Sequence, residues 1–316
     1  MLSFEISLPL LNINSRQISC MIFNVQRYST HDGEGIRTLI FYKGCPLSCH
    51  WCSNPESQSF DYSLMYDRKL CKNFGDCLKI EGTAITQTER LGIQIQRESL
   101  SHIENFREVC ISKALTVSGE KKNVDELLVE IEKDRPFYRE NGGVTLSGGE
   151  PLSQGDELVA LLKRLKMKKI GVNMETSLYV KWNKVARCIG YVDTFLVDLK
   201  HLDSLKFKAQ TNGDVNLVLD NLARLTNSDA NVVIRIPVIP GFNHTEAEIS
   251  LMIDFIRTLK KVQEVHLLPY HTFGEEKYKM GDMEYKMGDR KQVEDWELAP
   301  YIQYAESKGL KIKIGG

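Results

Sequence analysis

The sequence has almost no excess charge, no long apolar run and few cysteines, and each shortage excludes a class. Lys and Arg number 41 against 42 Asp and Glu, a net charge of −1. Bulk attraction to nucleic acid or to an anionic membrane is therefore not expected, and any charged partner must be met by a local patch. No stretch reaches the roughly 18 uninterrupted apolar residues that a membrane helix needs. The apolar run at 6–13 follows Glu5 rather than a basic leader and gives way to Asn14, Ser15 and Arg16, so no signal peptide is read there. Eight cysteines in 316 residues are too sparse for a disulfide scaffold, yet three of them crowd into eight positions. That crowding points to a metal site in a reducing, cytoplasmic setting.

With 42% hydrophobic residues the chain can bury a full core, and its length suits one large domain or a domain carrying an insert. From residue 124 onward, short β-branched or leucine-rich runs alternate with helical periodicity, the pattern of a parallel sheet covered by helices. Strands are predicted at 144–147, 170–174, 194–199, 232–238 and 265–268, with 38–42 as the first and 311–314 as a closing one. Helices are predicted at 124–133, 156–168 and 246–260, the last opened by a Thr245-x-x-Glu248 capping box. Six such units predict an α/β fold, a partial TIM-like (β/α)6 barrel with its chemistry in the loops after the strands. Residues 61–120 break the rhythm and read as an insert, leaving 21–60 and 121–316 for the barrel. Residues 1–20 read as a loose extension or a misassigned start. Tyr278-Lys-Met-Gly-Asp282 recurs as Tyr285-Lys-Met-Gly-Asp289, which reads as slippage in a charged surface loop.

Cys45-Pro-Leu-Ser-Cys49-His-Trp-Cys52 follows the first predicted strand. Three thiolates in one short loop can hold three corners of a [4Fe-4S] cube, whereas the usual all-cysteine cluster takes four, so one iron stays open to another ligand. The alternative is a tetrahedral zinc site completed by His50 or Cys20. His50 lies between two of the thiols, where turning toward the same ion is awkward, and zinc sites usually draw ligand pairs from two separate loops.

The spacing Cys-x3-Cys-aromatic-x-Cys, with Trp51 as the aromatic, resembles the signature of the radical S-adenosylmethionine superfamily. Tyr28-Ser-Thr-His-Asp-Gly-Glu-Gly-Ile-Arg37 and Trp51-Cys-Ser-Asn-Pro-Glu56 resemble the activating enzymes of glycyl radical enzymes, the group around pyruvate formate-lyase activase. The resemblance spans residues 21–316. It departs at Glu34, where proline is usual, and at Ser53, where histidine is common. It implies that Cys45, Cys49 and Cys52 carry one catalytic [4Fe-4S] cluster. It also implies that S-adenosyl-L-methionine lies against Trp51, Cys52, Ser53, Gly148, Gly149, Glu150, Asp198, Leu199, Lys200 and His271. A monovalent cation is implied near Glu175, Thr176 and Asp198, and Asp32 and Arg37, with Arg235 nearby, would help receive a glycine-bearing loop. The activity implied is one-electron cleavage of the sulfonium to a 5'-deoxyadenosyl radical, which takes a hydrogen atom from a backbone glycine of a partner glycyl radical enzyme. Flavodoxin or ferredoxin would donate the electron, and no nucleic acid or membrane would take part. Two other readings are a radical enzyme acting on a small metabolite or nucleotide, and a metal-bearing electron-transfer or docking protein. Polar segments ending successive strands, at 147–150, 198–200 and 269–271, argue against the last.

Members of this group often carry a ferredoxin-like insert with two further clusters on Cys-x2-Cys-x2-Cys-x3-Cys. Here that spacing falls on Cys71, Phe74, Cys77 and Glu81, then on Leu100, Ile103, Phe106 and Cys110, so three thiols of eight remain. Apolar side chains at four of these positions would fill the space of a cluster. The expectation is a ferredoxin-like path without clusters, kept for shape or docking. Its rival is one surviving cluster on Cys71, Cys77 and Glu81 with Cys110 added. Cys20 and Cys188 read as ordinary thiols, Cys188 within a helix.

Overall fold

The computed structural model describes residues 19–30, 32–82, 84–88 and 92–315. Most of the predicted extension, 1–18, lies outside them, as does His31 of the 28–37 motif. In chain order the strands are β1 (Ser19–Ser29), β2 (Arg37–Tyr42), β3 (Ser63–Tyr66), β4 (Ile85–Gln87), β5 (Ile93–Ile95), β6 (Leu115–Ser118), β7 (Glu120–Asn123), β8 (Gly143–Gly148), β9 (Gly171–Thr176), β10 (Thr194–Asp198), β11 (Val232–Val238), β12 (Glu264–Pro269) and β13 (Lys311–Ile314). Among the described residues nine of them form one sheet in the order β13-β12-β11-β10-β9-β8-β2-β1-β7. From β2 to β13 every pairing is parallel, and β1 and β7 add an antiparallel flank. The outer strands β13 and β7 do not pair with each other. This is the expected partial barrel, with each predicted strand found to within two residues.

The helices are α1 (Val124–Glu132), α2 (Arg135–Tyr138), α3 (Asp156–Met167), α4 (Trp182–Ala186), α5 (Ser204–Thr211), α6 (Val215–Thr226), α7 (Glu246–Thr258), α8 (Glu275–Gly281) and α9 (Ala299–Ser307). The central strands alternate: Val144, Leu146, Val172, Met174, Ile234 and Ile236 join the apolar core, while Thr145, Asn173, Arg235 and His266 take the other face. Helix α3 buries Leu158, Leu161, Leu162 and Leu165 against that sheet, each worth about 1.5–3 kcal/mol of apolar burial. A full capping box opens α1, where Asn123 and Glu126 exchange hydrogen bonds of 3.0 and 2.7 Å. The box expected at α7 is only half made. Thr245 accepts from the Glu248 amide at 3.3 Å, while the Glu248 carboxylate turns to Lys206 and His201 instead.

Three further expectations change. Strand β1 begins at Ser19, so Cys20 is a buried core residue of the sheet rather than part of an extension. Cys188 follows α4 instead of lying inside a helix. The repeated pentapeptide is no surface slippage: its first copy completes α8, Tyr278 and Met287 are buried, and the Tyr278 and Tyr285 rings meet at 5.0 Å.

The segment predicted as an insert contains two small antiparallel pairings, β3 with β6 and β4 with β5. It has its own apolar cluster on Leu64, Ile85, Phe106 and Leu115. It rests on α8, where Lys69 pairs with Glu276 at 2.9 Å and Arg97 donates to the Met280 carbonyl at 2.9 Å.

Candidate active site

The loop after β2 carries the cysteine triplet, and hydrogen bonds to two neighbouring segments fix it. The Gly44 amide donates to the Ser57 carbonyl at 2.7 Å, and the Ser48 and His50 amides donate to the Thr211 and Gln210 carbonyls at the end of α5, at 2.8 and 3.1 Å. Beyond the loop, Lys277 of α8 holds Asn54 at 2.6 Å and Glu56 at 2.9 Å. The two glycines at the end of β8 are required by close packing on this loop. A Cβ on Gly148, at φ +105°, would stand 2.4 Å from the Tyr42 nitrogen, and one on Gly149 would stand 2.6 Å from the Gly44 oxygen. The glycine pair therefore lets β8 press against the root of the cysteine loop.

Cys45, Cys49 and Cys52 line one cavity of about 260 Å3 at the carboxyl ends of the strands. Each borders the cavity and is partly buried. Burial pushes the Cys45 and Cys52 thiols up and Cys49 up to about 12, with Lys200 partly opposing the shift at Cys49. Without a bound cation such thiols stay protonated at neutral pH, so their chemistry is that of groups waiting for a metal to ionise them. Among the described residues no three His, Cys, Asp or Glu side chains are grouped closely enough to hold one metal ion. A cube takes each thiolate at a different corner, so its ligands stand apart. The residues offered for a zinc site are elsewhere: Cys20 is in the core of the sheet, and His50 does not border the cavity.

The other strand ends supply charge to the same cavity. Arg235 of β11 donates to Asp198 of β10 through Nε at 2.8 Å and also pairs with Glu175 of β9. Lys200 holds the second Asp198 oxygen at 2.9 Å, and Ser147 donates to the second Glu175 oxygen. Burial alone would raise Asp198 and lower Lys200 and Arg235, but mutual attraction outweighs it and shifts all three the other way. Asp198, Lys200 and Arg235 are therefore ionised. Gly148, Gly149, Trp51, Ser53, Thr176 and His271 also border the cavity. Burial lowers the His271 pKa, which keeps the ring neutral, and the ring stacks on Phe273 at 4.4 Å. Trp51 packs on Phe242 at 4.8 Å.

Two residues expected at S-adenosylmethionine are turned away from the cavity. The Glu150 carboxylate is fully buried behind it, accepting from Thr176 Oγ1 at 2.7 Å, Ser177 Oγ at 2.6 Å, the Ser177 amide at 2.9 Å and the Leu152 amide at 3.1 Å. It holds the loop after β9 in place. Leu199 packs into the core, because alternation along β10 sends its neighbours Asp198 and Lys200 inward. Arg37 stands at the opposite end of β2, about 16 Å along the strand from Tyr42. Its guanidinium is spent on Thr145 and on the carbonyls of Glu34, Asn141 and Val144. It fixes the loop that carries Asp32, which accepts from Ser29 at 2.6 Å, and borders a separate cavity of about 960 Å3 at the amino ends of the strands. The sequence reading missed Ser147, Asn54, Ser177 and Tyr270 as cavity residues. Asn54, Ser147 and Tyr270 stand inside motifs already noted, whereas nothing in one sequence marks Ser177.

The model of the Radical SAM superfamily matches residues 39–253. The chain belongs to that superfamily. Within it, the choline trimethylamine-lyase activating enzyme of Oleidesulfovibrio alaskensis is 40% identical over 267 residues, covering 82% of this chain and 86% of the relative. The isethionate sulfite-lyase activating enzyme of Nitratidesulfovibrio vulgaris is 38% identical over 279 residues, 86% of this chain and 90% of the relative. The trans-4-hydroxy-L-proline dehydratase activating enzyme of Clostridioides difficile is 35% identical over 303 residues, covering 94% and 99%. Streptococcus suis SuiB bound to its precursor peptide SuiA shares the fold, with a TM-score of 0.55 at 12% identity over 88% of this chain and 48% of that one. The chain is thus an activating enzyme for a glycyl radical enzyme and uses a [4Fe-4S] cluster and S-adenosylmethionine. Among the described residues no helix is long and apolar enough to cross a membrane.

Proposed function

We propose that Cys45, Cys49 and Cys52 hold the cluster and that the 260 Å3 cavity beside them receives S-adenosylmethionine. The observation that carries this reading is the meeting of three partly buried thiols with polar ends of five further strands around one space. The bound cluster and S-adenosylmethionine supply a one-electron cleavage that yields a 5'-deoxyadenosyl radical. The protein's own work is placement. Lys200 sets a positive charge toward Cys49 and Cys45, favouring their ionised form. The peptide groups of Gly148 and Gly149, with Asp198 and neutral His271, offer polar contacts to the amino acid and adenosine parts. Trp51 and Phe242 keep water from the cluster side.

The partner is proposed to be a glycyl radical lyase or dehydratase, the class named in the most similar relatives. The electron donor is proposed to be flavodoxin or ferredoxin, and the setting the cytoplasm. The insert is proposed to be a cluster-free module kept for docking. Cys71, Cys77 and Cys110 do border one cavity there, but at about 30 Å3 it has room for only one or two water molecules.

The test is anaerobic mixing of reconstituted protein, S-adenosylmethionine, a reductant and a candidate partner. A glycyl-radical EPR doublet with formation of 5'-deoxyadenosine is expected. Cleavage of S-adenosylmethionine with no protein radical on any lyase or dehydratase tried would transfer the reading to a small-molecule substrate.

A further inference from the structure

A monovalent cation near Glu175, Thr176 and Asp198 was expected, and the residues present do not fit one. The position between the two carboxylates is taken by the guanidinium of Arg235, which bonds Asp198 at 2.8 Å and pairs with Glu175 on the other side. All four carboxylate oxygens already accept: Glu175 from Arg235 and Ser147, Asp198 from Arg235 and Lys200. Two negative charges face two positive ones, so the group is neutral before any ion arrives. An added Na+ or K+ would have to displace the guanidinium or sit against it, with no carboxylate free to compensate. The glutamate at 175 matters here, since its extra methylene lets the carboxylate reach across to β11, where Arg235 is only 8% exposed.

We propose that Arg235 is the resident counter-cation of this site, in the place of a bound Na+ or K+, so that the enzyme binds and cleaves S-adenosylmethionine without a monovalent metal. The planar guanidinium suits the task because it spans two carboxylates at once and keeps its remaining N–H bonds for a third, the carboxylate of an amino acid ligand. Specificity follows from this. A sulfonium ligand whose carboxylate is removed or esterified would lose its partner at Arg235 and bind weakly in any salt.

The inference rests on the proposed S-adenosylmethionine site, and the test separates the two. Holoenzyme reconstituted anaerobically is assayed for S-adenosylmethionine binding by calorimetry and for reductive cleavage, in about 100 mM K+, Na+ or tetramethylammonium chloride, the last too large to enter. Affinity and rate are expected to agree within about threefold across the three salts, and a larger loss in tetramethylammonium that K+ or Na+ restores overturns the proposal. Arg235→Lys should remain indifferent to the salt, whereas Arg235→Gln should acquire a dependence on K+ or Na+. Equal binding by folded Arg235→Gln in all three salts also overturns it. The wild-type comparison decides the matter even if a variant fails to fold. Absence of binding in every salt would instead count against the site itself.

Discussion

The molecule holds two triads of cysteine, and they differ in almost every physical respect. Cys45, Cys49 and Cys52 come from one short loop, border a cavity of about 260 Å3 and face a buried network of ionised groups. Cys71 and Cys77 come from one stretch of the insert and Cys110 from a later one, and together they border a space of about 30 Å3. Burial raises every thiol of the first triad. In the second, burial raises Cys77, while Cys110 is lowered because hydrogen bonds from Ser112 and from the Ala114 and Leu115 amides outweigh its own burial. On the proposed reading, thiols in one place are not enough for a cluster site. Room for the inorganic core and a surrounding that tolerates its charge are needed as well.

The strongest test of this contrast is paired substitution. Cys49→Ala should take iron from roughly four per chain to background and abolish cleavage, whereas Cys77→Ala should leave both within about twofold. Loss of iron in both variants would put a cluster in the insert. Next in size, Phe106→Ala should cost about 3–5 kcal/mol from the insert's own cluster of side chains. Limited proteolysis should then cut within 61–120 while the barrel's unfolding midpoint stays put, and a matching fall in the barrel would mean the two cores are one.

On the barrel side, Glu150→Gln leaves hydroxyl and amide donors facing an NH2 group and should destabilise the protein by about 1–3 kcal/mol, read by urea unfolding. Unchanged stability with lost S-adenosylmethionine binding would instead make Glu150 a direct contact. The smallest effect is kinetic. In metal-free protein at pH 7, iodoacetamide should modify Cys110 before Cys77, with Cys49 later still, because Cys110 is lowered, Cys77 is raised and Cys49 is pushed up to about 12. First labelling at Cys49 would contradict the pKa order.

Much of this was legible beforehand, and the exceptions share a cause. The strands announced themselves as apolar runs between turn residues, and the loop triad as a spacing, because both are local properties of the chain. What a side chain does at a fixed position is not local. Glu150 follows two glycines at the cavity edge, yet its carboxylate points back to the Thr176 and Ser177 hydroxyls. Arg37 carries a charge that suggested a partner but satisfies backbone carbonyls of its own fold. In the insert, Phe106 does fill the interior at 1% exposure, whereas Phe74, expected to fill it too, is 61% exposed. Turn geometry at Asn73 and Gly75, both with positive φ, throws that ring outward, and no pattern of apolar residues predicts it.

The absence of pairing between β13 and β7 has a consequence for what can be modified. A cylinder of strands closed on itself is entered only from its ends, through an aperture fitted to metabolites. A sheet that stops short has two unjoined strand edges instead, so the path for a partner's chain is not confined to the ends.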